Sequence, residues 1–358
     1  MRAENTRAEL EASGDAWQRT IDFWETGRVH LSAYDAFLFL GCGSSFHVSR
    51  LAADALRATA KAAAAAARCS DVMLSPERFR PKGGPSLAVI VSRSGQTSED
   101  LEAAKAVAAL GYDTLALTCS EEGEVLRWCR QAVVLSFIRE KSLVATSSVS
   151  SFALLFFLMA AGLSKDEGLA RQLRNLPARA ASFLSSPSRL EAEEFVAKNR
   201  TQSAEKEDSL GYMVFLGLDN CLTVAWESAL KLKEMALVPC DAQQALEFRH
   251  GPKALVEEGS LVGLFRAEEF GEAELKVLEE AGGLGADTLL ICAQPTPHAA
   301  RAASVVCAVG GEACSLARIP LYLLAGQGFG LAKALARGID PDQPRHLGYF
   351  VTVKESSA

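Results

Sequence analysis

Four short sequence patterns in the first half of the chain return in the second half, in the same order and about 174 residues later. The clearest pairs are FLGCG with FLGLD and LGYDTL with LGADTL. Such ordered self-similarity predicts two copies of one structural unit, each with the same succession of elements. In chain order the pairs are 39–43 with 215–219, 87–91 with 261–265, 110–115 with 284–289, and 133–134 with 305–306.

Within each half, short continuous apolar runs alternate with stretches of helical periodicity. This alternation is typical of β-α-β units, in which parallel strands are buried on both faces. We therefore predict an α/β fold made of two tandem, doubly wound parallel sheets. In the first half, strands are predicted near 36–40, 87–91, 113–118 and 132–136, and helices near 46–67, 98–110, 123–130 and 148–163. In the second half, strands are predicted near 212–216, 260–265, 287–292 and 304–309, and helices near 221–237, 270–283 and 320–336. The helix near 46–67 includes an alanine-rich run, and alanine is the strongest helix former.

The length of 358 residues exceeds what one hydrophobic core usually organises, and the 49% hydrophobic content suffices for two cores. Charged, helix-forming sequence between the two halves indicates a linker. The predicted organisation is an N-terminal helical segment at 1–30, a first domain at 31–168, a helical linker at 169–205, a second domain at 206–340, and a C-terminal tail at 341–358.

Charge and hydropathy argue against several classes of partner. The net charge of −7 disfavours nucleic acid and anionic membrane surfaces. The most apolar stretch, at 149–163, is shorter than the roughly 20 residues of a membrane-spanning helix, so a buried helix is predicted there. The charged start of the chain lacks the apolar segment of a secretory signal, which predicts a cytoplasmic protein.

The cysteines and histidines give no sign of a metal site in their spacing. Nine cysteines lie between Cys42 and Cys314 without a C-x-x-C pair, and the five histidines also lack ligand spacing. We therefore predict neither a disulfide framework nor a bound metal, and interpret most cysteines as small core residues.

Two loops of the first half combine glycine with hydroxyl side chains. GCGSS at 41–45 and SRSGQTS at 92–98 each follow a predicted strand and precede a predicted helix. Ligands of open α/β sheets bind at the carboxyl ends of strands, and amides at a helix start favour an anion. The two loops together predict a phosphate monoester site, whereas either one alone fits an ordinary turn and helix cap equally well.

Two segments of the second half carry groups able to transfer protons. ESALKLKE at 227–234 places Lys231 and Glu234 on one helix face, and EFRHGP at 247–252 brings a carboxylate, a guanidinium and His250 into one sharp loop. The alternatives are an ordinary surface ion pair and a structural histidine.

At this point a family resemblance becomes specific. Motifs along almost the whole chain resemble the isomerase portion of glucosamine-6-phosphate synthase and stand-alone phosphosugar isomerases of the glucosamine-6-phosphate deaminase type. The chain is therefore identified as a member of the tandem SIS (sugar isomerase) family, whose domains are flavodoxin-like. The motifs are CGSS at 42–45, SRSGQT at 92–97, VATS at 144–147, ESALKLKE at 227–234, EFRHGP at 247–252 and DQPRHL at 342–347.

The resemblance implies a role for each matching residue. Glu234 would move a proton between carbons 1 and 2 of the sugar, and Lys231 would steady the charge and orientation of that carboxylate. His250, supplied by the partner subunit, would open the sugar ring, which implies a homodimer with its active site across the two halves and at the subunit interface. No metal or cofactor is implied. The residues implied to bind the phosphosugar are Ser92, Arg93, Ser94 and Thr97 at the phosphate, Gly43, Ser44, Ser45, Val144 and Thr146 at the sugar, and Tyr349, which stands where the synthase tail carries a catalytic lysine.

The reaction that this resemblance favours is deamination of glucosamine 6-phosphate to fructose 6-phosphate and ammonia. Arg2 stands where the synthase has a nucleophilic cysteine, so we expect no hydrolysis of glutamine by this chain. The alternatives are an aldose–ketose isomerase, a deglycase acting on a sugar–amine conjugate, and, from another class, a module that senses a sugar phosphate without turnover.

Overall fold

The computed structural model describes residues 2–29, 31–199, 211–311 and 315–352, and all structural statements below concern these residues. Cys314 and the predicted boundary between residues 205 and 206 lie outside the described residues. The chain forms two compact units. The first unit consists of Asp15–Arg174 and His346–Ala358, and the second of Met1–Gly14 and Asn175–Arg345.

The first unit contains a five-stranded parallel sheet with flanking helices. Its strand order is β2-β1-β3-β4-β5, the order of a doubly wound sheet with a switch point between its first and third strands. Of the two helices at the start of the chain, α1 (Glu4–Glu11) belongs to the second unit, and α2 (Ser13–Glu25) lies almost entirely in the first. The strands are β1 (Ala36–Gly41), β2 (Ala63–Arg68), β3 (Ser86–Val91), β4 (Asp113–Thr118) and β5 (Gln131–Val134). The helices are α3 (Ser44–Thr59), α4 (Cys69–Leu74), α5 (Ser98–Ala109), α6 (Ser147–Ser164) and α7 (Glu167–Arg174).

The second unit repeats this sheet. Its strand order, β7-β6-β8-β9-β10, matches that of the first sheet strand for strand, as the repeated sequence patterns predict. The strands are β6 (Met213–Gly217), β7 (Asp241–Gln244), β8 (Leu261–Phe265), β9 (Asp287–Cys292) and β10 (Val305–Ala308). The helices are α8 (Leu176–Leu184), α9 (Pro187–Lys198), α10 (Asn220–Ala236), α11 (Ala273–Gly283), α12 (Pro297–Arg301) and α13 (Ser315–Ala336).

The predicted central strands and the predicted α/β class are confirmed, and the apolar stretch at 149–163 is the buried helix α6. Two helices, α6 and residues 316–336 of α13, have the length and composition of membrane spans, but 83% and 78% of these windows are buried. Burial of this extent is what core helices of a globular unit show.

The prediction of one helix near 46–67 is wrong. α3 ends at Thr59, Lys61 has a left-handed φ of 53°, and the alanine-rich run becomes strand β2 at the edge of the sheet. β2 pairs with β1 in parallel from Ala36↔Ala63 to Gly41↔Arg68. Helix propensity favours alanine by less than about 1 kcal/mol per residue, which backbone pairing with an existing strand outweighs.

Smaller differences occur elsewhere. The helix predicted at 123–130 is one 3₁₀ turn, Glu124–Arg127, and the polar strand β7 is unpredicted because the run DAQQ has no apolar pattern. Helices α8 and α9 lie within the predicted linker at 169–205, and α7 begins two residues before it. α9 packs against α13 and β10 in the second unit.

The repeat extends to the backbone of the first strand–helix turn in each unit. A Cβ on Gly41 would lie 2.5 Å from the backbone of Ser45, and one on Gly217 would lie 2.3 Å from that of Cys221. Two residues after each of these glycines the backbone adopts the same unusual conformation. Gly43 has φ 54° and ψ −125°, and Asp219 has φ 48° and ψ −126°.

We expect Asp219→Gly to stabilise the protein by about 1 kcal/mol, because only glycine adopts this backbone conformation without strain. The Asp219 side chain is exposed and makes no capping hydrogen bond, so little is lost with it. Chemical denaturation of both proteins measures the difference. The reciprocal control is Gly43→Ala. Its added Cβ meets no atom within 4 Å, so backbone strain alone acts on this variant, and it should destabilise the protein by a similar amount. Equal stability of Asp219→Gly and wild type would contradict the strain argument.

Candidate functional site

A cavity of about 350 Å³ lies in the first unit, where β3, β4 and β5 end. It contains three of the predicted substrate-binding residues, Arg93, Ser94 and Tyr349. Its other lining residues follow the same strands or belong to the tail: Gln96, Cys119, Ser120, Ser136, Ile138, Arg139, Glu140 and Phe350. The location agrees with the rule that α/β sheets bind ligands at the carboxyl ends of their strands.

The 92–97 loop is shaped by its own hydroxyl groups. Ser92 Oγ accepts a hydrogen bond from the Gly95 amide at 3.1 Å, and Ser94 Oγ accepts one from the Gln96 amide at 3.2 Å. Ser92 is buried and also donates to Asp100, so it supports the loop from inside. The Ser94 hydroxyl lines the cavity, and its proton can be donated to an anion there.

Arg93 is already partnered in this structure. Its guanidinium lies 3.2 Å from the Glu140 carboxylate, donates to the Leu143 carbonyl at 2.9 Å, and stacks 4.2 Å from the centre of the Tyr349 ring. Glu140 therefore neutralises much of the charge that the sequence analysis assigned to phosphate. Arg139 also lines the cavity, is exposed, and forms no ion pair within the described part of the chain. It is a source of positive charge that the sequence analysis missed.

Glu140 holds the start of α6. Its carboxylate accepts hydrogen bonds from the amides of Thr146 and Ser148, both at 2.8 Å, and from the Ser148 hydroxyl at 2.7 Å. A carboxylate at this position is also favoured by the helix dipole. Val144 and Thr146, predicted to line the sugar, are buried, and the Thr146 hydroxyl bonds to Glu140. Their contact with a sugar stays a prediction.

The remaining predicted residues of the first unit do not line the cavity. Gly43 is exposed at the start of α3, and Ser44 and Ser45 form the first turn of that helix. Thr97 stands at the cap position of α5 without a capping hydrogen bond from its side chain. The next amide, that of Ser98, donates to the Val351 carbonyl of the tail at 3.2 Å, so this helix-start amide is already taken.

The second unit contains a buried charged triplet. Lys231 is completely buried and its Nζ lies 3.2 Å from Glu227 Oε1 and 2.7 Å from Glu234 Oε2. Burial lowers the pKa of Lys231, but the charges of Glu227 and Glu234 raise it by more, so Lys231 is a cation at neutral pH. The interpretation of Lys231 and Glu234 as an ordinary surface pair is therefore wrong. Glu227 is also buried, whereas the Glu234 side chain is 22% exposed, so Glu234 is the carboxylate of these two that faces solvent.

Close packing between two helices buries this triplet. α10, which carries all three residues, packs against the glycine-rich segment of α13. A Cβ on Gly330 would lie 3.2 Å from Lys231 Cβ, and one on Gly326 would lie 2.0 Å from Ser228 Oγ. The GQGFG run at 326–330 was the sequence signal for this approach.

His250 makes no hydrogen bond or ion pair with the triplet. It ends a 3₁₀ turn, Glu247–His250, is exposed, and makes no hydrogen bond or ion pair within the described residues. Its loop is held by Glu280, which pairs with Arg249 at 2.7 Å and with Lys253 at 3.1 Å. The role of His250 in a partner subunit's site stays a prediction.

At the end of β8 the second unit has no counterpart of the hydroxyl-rich 92–97 loop, because the residues that follow this strand are Arg266, Ala267, Glu268 and Glu269. There Glu274 is buried and accepts hydrogen bonds from the amides of Ala267 and Glu268 at 3.2 and 3.0 Å. A carboxylate thus already occupies the amides that could hold an anion, which favours the first unit as the phosphate-binding one.

Similarity to known proteins is found along the whole chain. Residues 213–327 match the model of the SIS domain family. The isomerizing glutamine–fructose-6-phosphate aminotransferase of Neisseria meningitidis serogroup B is 29% identical over 335 residues, which cover 88% of this chain and 51% of that protein. The aminotransferase of the same name from Pyrobaculum aerophilum is 31% identical over 279 residues, covering 75% and 44%. The chain thus spans about half the length of these curated relatives.

A solved structure extends the similarity to both sheets. The glucosamine-6-phosphate deaminase of Thermotoga maritima has a TM-score of 0.80 and 25% identity, covering 98% of this chain and 100% of that one. The family model matches one domain, in the second half. The first half has the same sheet order as the second, and its membership of the SIS family stays a prediction.

Proposed function

Because residues 213–327 form an SIS domain, we propose that this chain converts a phosphosugar, namely glucosamine 6-phosphate, to fructose 6-phosphate and ammonia. The observation that carries the proposal is the Glu234 carboxylate, partly exposed and anchored at 2.7 Å by a lysine that is itself completely buried. A carboxylate fixed in this way is suited to act as a general base whose position does not depend on substrate.

The proposed proton transfers balance as follows. The sugar ring opens to the aldehyde, and His250 is the group to which we assign the proton exchange at the ring oxygen. Glu234 then removes the proton from carbon 2 while the aldehyde oxygen on carbon 1 gains a proton, which gives an enolamine. Glu234 returns its proton to carbon 1 and the amine nitrogen loses one proton, which leaves an imine at carbon 2. Water adds to the imine and ammonia leaves, so one water is consumed for each ammonia released. Lys231 stays charged throughout and orients Glu234.

The proposed phosphate site is the cavity of the first unit. The Ser94 hydroxyl and the exposed Arg139 supply a hydrogen-bond donor and a positive charge, and a phosphate monoester needs both. Arg93 is better suited to holding Glu140 and the start of α6 than to direct charge neutralisation. The names of the relatives support the substrate class, since they include a glucosamine-6-phosphate deaminase and fructose-6-phosphate aminotransferases.

Incubation of the purified protein with glucosamine 6-phosphate tests the proposal, with ammonia and fructose 6-phosphate both measured. Equal amounts of both products are expected. Isomerisation of a phosphosugar without ammonia would identify an aldose–ketose isomerase, and release of another amine from a sugar conjugate would identify a deglycase. Binding without turnover on a panel of phosphosugars would indicate a sensor and overturn the enzymatic proposal.

We expect Ser94→Ala to raise KM for the phosphosugar about tenfold with little change in kcat, because one hydrogen bond to a charged group is lost. The loss should be confined to phosphorylated sugars. Ser164→Ala is the matched control, since that hydroxyl donates to the Ala160 carbonyl at 2.9 Å within α6. An equal loss for phosphorylated and plain sugars would remove Ser94 from the phosphate site.

A further inference from the structure

Three potential metal ligands from separate elements meet in the first unit. The Sγ atoms of Cys42 and Cys69 and a carboxylate oxygen of Asp100 all lie within 4.8 Å of one another. The sheet brings the two cysteines together, because parallel pairing of β1 and β2 places Gly41 opposite Arg68, and each cysteine is the next residue. Asp100 joins them from the first turn of α5.

The surroundings of these three side chains are those of a built site. Cys69 and Asp100 are almost completely buried, and Cys42 is half-buried. The Cys42 thiol donates to Asp100 Oδ1 at 3.3 Å, and Asp100 also accepts hydrogen bonds from Cys69 and from Ser92. Apolar residues of the sheet and of α4 and α5 enclose the cluster. A carboxylate at this depth requires a cation or several donors to stabilise it.

We propose that Cys42, Cys69 and Asp100 bind one Zn²⁺ ion. Two sulfur ligands favour zinc over the oxygen-preferring Mg²⁺ and Ca²⁺. Three protein ligands leave the fourth tetrahedral position to water or another small ligand. Cys42 is the ligand of the three that is only half-buried. Ser92 acts as the outer partner that orients the Asp100 carboxylate, as such partners do in metal sites generally.

The position of this site connects it with the two glycine–hydroxyl loops. Cys42 lies between Gly41 and Gly43 in the turn before α3, and Asp100 lies three residues after Thr97 in the second loop. A bound ion would tie these loops together through Cys42 and Asp100. The proposal concerns the first unit alone and does not depend on the proposed reaction.

Titration of the intact protein with Co²⁺ under reducing conditions tests the site, because Co²⁺ replaces Zn²⁺ and has diagnostic absorption. We expect one equivalent to give a thiolate-to-cobalt charge-transfer band and the visible bands of tetrahedral cobalt, and Zn²⁺ to abolish both. Cys69→Ser should weaken binding by at least about 100-fold. Cys129→Ser, at a half-buried cysteine of the same unit outside the cluster, should leave it unchanged. A wild-type protein without the charge-transfer band, or a band that Cys69→Ser leaves intact, would overturn the proposal.

X-ray absorption of the zinc-loaded wild-type protein gives a second test that needs no variant. The spectrum should contain about two sulfur neighbours at about 2.3 Å together with oxygen neighbours. Oxygen and nitrogen neighbours alone would mean adventitious surface binding and would also overturn the proposal.

Discussion

Glu234→Gln should lower kcat for glucosamine 6-phosphate by about a hundred- to ten-thousandfold, while the Kd for the phosphosugar changes only a few-fold. The amide is nearly isosteric with the carboxylate. In the wild type Lys231 Nζ lies 2.7 Å from Glu234 Oε2, and the amide oxygen can still accept this hydrogen bond. It cannot accept the proton from carbon 2. Lys231 also keeps its pairing with the buried Glu227, so the fold of α10 should be retained.

Steady-state kinetics together with calorimetric binding of the phosphosugar separate these two effects. The matched control is Glu194→Gln, which removes the charge of an exposed helical glutamate paired with Lys198 in the same unit. The control should keep wild-type kcat. If Glu234→Gln kept wild-type kcat as well, Glu234 would have no part in the proton transfer. The ammonia assay would still show whether the protein deaminates the sugar with another base.

The central strands were predictable because burial on both faces requires a continuous apolar run, and β1, β3, β8 and β9 each have one. Of the four edge strands, β5 and β10 were predictable and β2 and β7 were not. β2 is built largely from alanine and β7 from the polar run DAQQ, and neither sequence has a strand pattern. Each of these strands lies at the edge of its sheet and pairs with a single neighbour. The backbone pairing with that neighbour determines the structure of β2 and β7 more than their own side chains do.

The candidate site was predictable in its loops but not in its charge balance. Of the two loops rich in glycine and hydroxyl residues, the one at 92–98 lines the cavity at the end of β3 and the one at 41–45 does not. The ion pair between Arg93 and Glu140 could not be predicted, because the two residues are far apart in sequence and meet only when β3, β4 and β5 align. Glu227 could have been found, since it lies four residues before Lys231 on one helix face.

The cysteine cluster was missed for the same reason. Metal ligands are recognised in sequence when they share one short segment, as in C-x-x-C. Here a parallel sheet collects one residue after each of two neighbouring strands and a third from the following helix, so the spacing between ligands is set by the crossover helices. Motif spacing alone therefore cannot exclude a metal site in a doubly wound fold.

Lys231→Met should lower the free energy of unfolding by about 3–5 kcal/mol, because it leaves the buried Glu227 carboxylate without its cation. The Lys231 side chain is 0% exposed and that of Glu227 is 1% exposed, so water cannot replace the lost charge. Chemical denaturation measures the loss. Lys198→Met is the control for an exposed lysine, and removing its pair with Glu194 should change stability by less than about 1 kcal/mol.

The cause of that loss can be separated from a simple packing defect by a second substitution. In Lys231→Met/Glu227→Gln no unpaired buried charge remains, so most of the stability should return. A packing defect would instead make the double variant less stable than the single one.

The direction in which the contribution of Lys231 to stability changes with pH follows from its pKa. The pKa of Lys231 is raised in the folded protein, so its stabilisation is complete below the ordinary lysine pKa and is lost as the pH rises through the folded-state value. The gap between wild type and Lys231→Met should therefore not shrink as the pH rises from neutral to the ordinary lysine pKa, and should narrow only in strongly alkaline solution. A gap that closed as the pH rose over the first of these ranges would mean that Lys231 is not the charged centre of the triplet, and its assigned part in orienting Glu234 would be lost with it.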